Sequence, residues 1–141
     1  MAKNTLTYFT KDLRAKPTSF ANADGTTAKQ IFDPSTEGSR VDGIVITSTD
    51  TVARTILIQI NNGSVISKLG HINVPAGAGT DGSTPAVSGL NRGNLPWLKI
   101  DANGNPYLNL NSGMNLEAGM LVAITAAKTI TVTVLGANYD A

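Results

Sequence analysis

From Thr26 onward, β-branched and aliphatic residues alternate with polar ones, and clusters of Gly, Asn, Asp and Pro interrupt the alternation at short intervals. That rhythm predicts short strands joined by turns. Thr26 to Phe32 reads as a first strand, stopped by Asp33-Pro34 because proline lacks the N–H that a central ladder needs. Arg40 to Ser48 follows. In the next segment Val52, Arg54, Ile56, Ile58 and Ile60 share one face and Thr55, Leu57 and Gln59 the other, with Arg54 near an end where it could reach solvent. Asn62-Gly63 supplies a tight hairpin, and Val65 to Val74 returns as its partner. Leu95 to Ile100 and Pro106 to Leu110 flank a hairpin loop at Asp101 to Asn105, and Met120 to Thr125 with Thr129 to Leu135 make the last pair. No segment sustains a helical period.

Eight short antiparallel strands with long crossover loops predict an all-β sandwich, with the eight-stranded jelly roll ahead of an immunoglobulin-like sandwich or a closed barrel. Two segments stand outside the pattern. Residues 1–25 show no clear period and are interrupted by Pro17, which predicts an N-terminal arm ahead of a sandwich domain at 26–141. Such an arm either packs on a neighbouring molecule or folds over its own sandwich, and the sequence leaves both open. Residues 75–93 are long for a connection and are the expected contact loop.

Composition narrows the function. With 141 residues, 41% of them hydrophobic, the chain suits one domain, and without cysteine it has no disulfide, thiolate site or cysteine nucleophile. No apolar run approaches the ~18 residues of a membrane span, and the N-terminus lacks a secretory pattern, so a soluble protein made in a cytoplasm is expected. Lys3, Lys11, Arg14 and Lys16 against Asp12 give residues 1–20 a net charge of +3, leaving −2 for the rest. A nearly neutral chain lacks the broad positive field of a nucleic-acid binder, but a basic arm suits an acidic partner surface.

The chemical motifs fail in context. Gly77-Ala78-Gly79-Thr80-Asp81-Gly82 has dinucleotide-loop spacing, yet Ser83-Thr84-Pro85 continues as coil where a helix would have to begin. Asp101, Asn103 and Asn105 resemble half a calcium loop, but Pro106 and Ser112 stand where Gly and Glu belong, so a turn is the simpler reading. His71 is the only histidine, which rules out a multi-histidine metal centre and leaves any serine triad dependent on it. Glu37 and Glu117 are the only glutamates, and no pair of acids is placed for glycosidase chemistry. No catalytic, cofactor or metal site is expected, and so no enzyme. Trp97 and Tyr107 flank the Asp101 hairpin; core or interface packing is favoured for them over stacking on a sugar.

Three stretches carry a resemblance: Asp50-Thr51-Val52-Ala53-Arg54-Thr55, the run from Val74 to Val87, and Asp101 to Leu108. Together with Leu116 to Met120 ahead of Thr129 to Thr133, they resemble small capsid decoration (cement) proteins of tailed bacteriophages, over about residues 40–139. The resemblance implies a structural virion protein that binds the outer surface of the assembled capsid and bridges major capsid protein subunits as a homo-oligomer, dimer or trimer. It implies no nucleic-acid, membrane or small-molecule partner. The expected capsid contacts are Lys3, Lys11, Arg14, Lys16, Thr80, Asp81 and Arg92, with Trp97 and Tyr107 at an interface. The alternative is a carbohydrate- or receptor-binding jelly roll of a phage fibre or tail, with Trp97 and Tyr107 as the stacking pair.

Overall fold

The computed structural model describes residues 10–139, with side chains from Asp12 onward. Among the described residues, ten antiparallel strands build two facing sheets. They are β1 (Thr10–Ala21), β2 (Lys29–Phe32), β3 (Ser39–Ser48), β4 (Arg54–Asn61), β5 (Ile66–Val74), β6 (Val87–Ser88), β7 (Lys99–Ile100), β8 (Pro106–Leu110), β9 (Asn115–Met120) and β10 (Thr129–Tyr139). One sheet runs β1-β10-β3-β8-β7, with β6 sharing the β8 edge of β3; the other runs β2-β9-β4-β5. First and last strands interleave in both sheets. That order is compatible with jelly-roll wiring, with two short strands, β6 and β7, between its long crossovers.

Alternation explains why these residues form these strands. Ile44 and Ile46 on β3, Ile56 and Ile58 on β4, and Ile130, Val132 and Val134 on β10 are buried, while their neighbours in sequence face outward. The facing rows meet Phe20, Phe32, Ile72 and Leu116 in one core. The β4–β5 hairpin turns at Asn62-Gly63 as expected: Asn62 Oδ1 accepts from the amides of Ser64 and Val65, and Gly63 has φ 92°.

The expected arm needs correction. Thr10–Ala21 is the edge strand of the larger sheet, registered along β10 from Thr10↔Tyr139 to Ala21↔Thr129, and Phe20 is a core residue. The sequence hid this because β1 is an edge whose outward positions, Leu13, Ala15, Pro17 and Ser19, follow no simple polarity rule. Pro17 is tolerated there because an edge strand can turn one backbone side to solvent. Lys3 lies outside the described residues, as does the side chain of Lys11.

The strand expected at Met120 to Thr125 sits earlier, at Asn115–Met120. Gly113 makes the turn into it with φ 83°, and Leu116, Ala118 and Met120 point inward. In the apolar run Leu121-Val122-Ala123-Ile124, which looks like a strand, only Ile124 is buried. At Gly136 the β3–β10 ladder shifts register, and a Cβ there would lie 2.2 Å from the Arg40 carbonyl oxygen, so only glycine fits. Among the described residues, no helix is long and apolar enough to cross a membrane.

Candidate functional site

The loops 22–28, 49–53, 75–86 and 121–128 gather at one end of the sandwich, and Asp50 organises them. Its carboxylate is fully buried, and Arg54, 13% exposed, lies against it. Oδ2 accepts from Arg54 Nε at 2.8 Å and from the Thr125 amide at 3.1 Å; Oδ1 accepts from Thr125 Oγ1 at 2.7 Å and from the Val52 amide at 3.1 Å. Arg54 Nη2 also donates to Thr125 Oγ1 at 3.0 Å. Burial works to raise the Asp50 pKa, but the hydrogen bonds from Arg54 and Thr125 overcome it and hold the carboxyl well below the usual carboxylate range. Arg54 therefore faces this carboxylate and not solvent as expected.

One buried charge thus ties the 49–53 loop to the 121–128 loop. The Gly77 amide donates to the Asp50 carbonyl, Asn22 Nδ2 donates to the Ile124 carbonyl, and the Leu121 amide donates to the Thr55 carbonyl. The outcome is a braced tip that presents Val52, Leu121 and Val122, each about half exposed. Sequence reading placed Val52 and Leu121-Val122 inside strands; the signal that could have found them is Asp50 with Arg54 four residues later, at the edge of a turn.

The 75–86 loop is built from itself. Asp81 Oδ1 accepts from the amides of Ser83 at 2.9 Å and Thr84 at 2.7 Å, and Oδ2 accepts from Thr84 Oγ1 at 2.8 Å. The Thr84 and Ser83 amides lower the Asp81 pKa to about 2. Gly77, Gly79 and Gly82 all have positive φ and shape turns, with no helix following them. Thr80 Oγ1 donates to the Ser48 carbonyl at 2.6 Å, docking the loop on β3.

The expected contact residues are therefore largely engaged within the chain. Arg14 stacks over the Phe32 ring at 4.2 Å and pairs with Asp33 at 3.0 Å, and Lys16 lies 3.5 Å from the same carboxylate. Thr80 and Asp81 hold their own loop, and Arg92 donates twice to the Pro96 carbonyl. All five have partners within the chain, and Thr80, Asp81 and Arg92 remain exposed.

Trp97 and Tyr107 do come together. They line a notch of 190 Å³ with Lys99, Leu108 and Asn109. Trp97 is 44% exposed, and its Nε1 donates to the Leu69 carbonyl at 3.0 Å, which fixes the indole. Arg40 stacks on the Tyr107 ring at 4.4 Å and bridges Asp42 and Asp101. Asp101 Oδ1 accepts from the Asn103 and Asn105 amides, so this carboxylate holds the turn while its other oxygen meets Arg40. His71 is exposed on β5, opposite Leu57. Among the described residues, no three His, Cys, Asp or Glu side chains converge as a metal site would require. In comparisons with known proteins, no family model matches this chain and no curated protein is similar to it.

Proposed function

We infer that this chain is a structural virion protein that binds the outer surface of a phage capsid and stabilises it by bridging major capsid protein subunits, working as a homo-oligomer. The observation that supports a binding role is the braced tip: a fully buried Asp50–Arg54 pair holds two loops so that Val52, Leu121 and Val122 face outward. Loops fixed in advance lose little freedom on docking, and half-exposed aliphatic side chains gain by leaving water. The resemblance to cement proteins supplies the partner. A protein that binds only the assembled shell stabilises it by its own binding free energy, multiplied over many copies.

The tip, which the 75–86 loop adjoins through Gly77, is the contact to test first. The test is co-sedimentation of the purified chain with undecorated, expanded phage shells, using wild type and Val122→Asp with Leu121→Asp. Saturable binding that weakens at least tenfold in the double variant supports the reading; absence of binding to any shell, or binding indifferent to the aspartates, removes it.

The fixed, half-exposed Trp97 beside Tyr107 favours a second reading, a glycan- or receptor-binding module of a fibre or tail. It predicts saturable binding on a glycan array that Trp97→Ala abolishes while the thermal transition stays in place.

A further inference from the structure

The two sheets present different outer faces. On the outer face of β2-β9-β4-β5, Glu117 accepts from Gln59 Nε2 at 2.8 Å and Asn61 Nδ2 at 3.2 Å, Gln30 bonds Asn115, and Lys68 and His71 stand alongside. That face carries Leu57 and the exposed Ile66 as well, but polar and charged side chains run through its middle, as on a hydrated surface. The outer face of β1-β10-β3 is unlike it. Register places Pro17, Thr133, Val45 and Ser88 side by side in one row and Ala15, Leu135 and Gly43 in the next. Leu13, 90% exposed, stands one row further out. From the Ala15-Leu135-Gly43 row to Ser19, Thr131 and Thr47, the described outward side chains on these three strands are all uncharged; Leu13's own row continues through Ala137 to Arg40, which with Asp42 forms a charged rim. Depletion of charge at the centre with a polar rim is what distinguishes an interface core from ordinary surface.

We propose that this uncharged face of β1-β10-β3 packs against the same face of a second copy of the chain, about a two-fold axis near Val45 and Thr133. This rests on the oligomer half of the reading above and is independent of the shell. Two observations select a second copy, and the face over the edge.

The first is area. Leu13 to Ser19 runs about 20 Å on β1 and Gly43 to Thr47 about 14 Å on β3, and β1, β10, β3 and β6 lie about 14 Å across between outer axes; with the width of the side chains the uncharged footprint is about 400 Å². Two copies cover about 800 Å², smaller than a standard interface and suited to a weak, concentration-dependent pair. Both copies carry the same uncharged surface, so an isologous contact buries no unpaired charge.

The second is that strand addition is blocked along the Pro17–Ala21 half of β1. Pro17 offers no N–H, the Ser19 carbonyl is taken by Lys29 Nζ at 2.7 Å, and the Ala21 amide is taken by Asp24 at 2.8 Å. These are the devices by which an edge is closed to pairing.

The experiment is sedimentation velocity with light-scattering mass on the full chain, from about 1 to 100 μM, the range in which an interface of this size should dissociate. The variants are Val45→Lys, Leu135→Lys and Leu13→Lys, with Lys68→Glu on the opposite face as control. Leu13 is 90% exposed, so its replacement leaves packing intact, and a thermal scan accompanies each protein. The expected result is a wild type that moves from one-chain to two-chain mass, lysine variants at least tenfold weaker, and Lys68→Glu like wild type. A wild type that stays at one-chain mass throughout overturns the oligomer and the face together. A pair that survives all three lysines, or a three-chain mass, overturns this face and its two-fold while leaving the shell reading to the co-sedimentation test.

Discussion

Replacing Asp50 with alanine removes the acceptor of four hydrogen bonds, from Arg54 Nε, the Thr125 amide, Thr125 Oγ1 and the Val52 amide. Arg54 is then left almost buried with Thr125 Oγ1 as its remaining side-chain partner. Breaking a buried pair by removing one member costs about 3–5 kcal/mol. A chain of 141 residues unfolds with an entropy of about 0.3 kcal/mol/K, so the midpoint at pH 7 should fall by about 10–17 °C. Replacing both members, Asp50→Leu with Arg54→Met, should recover much of that loss, because no charge is left unpaired. Acid provides the internal control. Since the folded pKa of Asp50 is lowered, its stabilisation is fully present above the ordinary value near ~3.9 and is lost progressively as pH falls toward the folded value. Calorimetry of the three proteins across pH 2 to 7 measures this. An Asp50→Ala midpoint within about 3 °C of wild type at pH 7, or a gap that does not narrow on acidification, refutes the role given to this pair.

Three further outcomes are expected. Deleting residues 2–20 removes most of β1 together with the core residue Phe20, so circular dichroism should show no cooperative melt in place of an intact domain lacking an arm. Gly136→Ala sets a Cβ against the Arg40 carbonyl and should cost about 3 kcal/mol or more, read as a lower urea midpoint with an unchanged slope. Ala127 is the only described non-glycine residue with positive φ, at 67°, and Ala127→Gly should stabilise by about 0.5–1 kcal/mol in the same assay; a loss of stability would show that the position is not strained.

Legibility in the sequence followed locality. The β4–β5 hairpin was readable because Asn62-Gly63 and the isoleucine alternation act within a dozen residues. β9 was misplaced because Leu121-Val122-Ala123-Ile124 is as strand-like in composition as Asn115–Met120, and only pairing with β4 chooses between them. β1 was missed because an edge strand carries a weak polarity signal, and its partner β10 lies more than a hundred residues away. Partners of the candidate site residues were hidden for the same reason. Arg14 pairs with Asp33, nineteen residues away, while Asp81 bonds Ser83 and Thr84 within its own loop and stays exposed.

What the chain determined by itself was its class and its chemistry. Period-two patterning with turn residues at short intervals dictates antiparallel sheets, and the absence of cysteine and the single histidine limit the available sites whatever the fold. Only the tertiary structure decided which surfaces are left over. It brought Asp50 and Arg54 to Thr125, 75 residues along the chain from Asp50, making one braced tip, and it laid Leu13, Leu135 and Val45 on one face in successive rows of three strands. A surface is a property of residues that are neighbours across strands, and register between distant segments, set by the burial of their other faces, is what makes them neighbours.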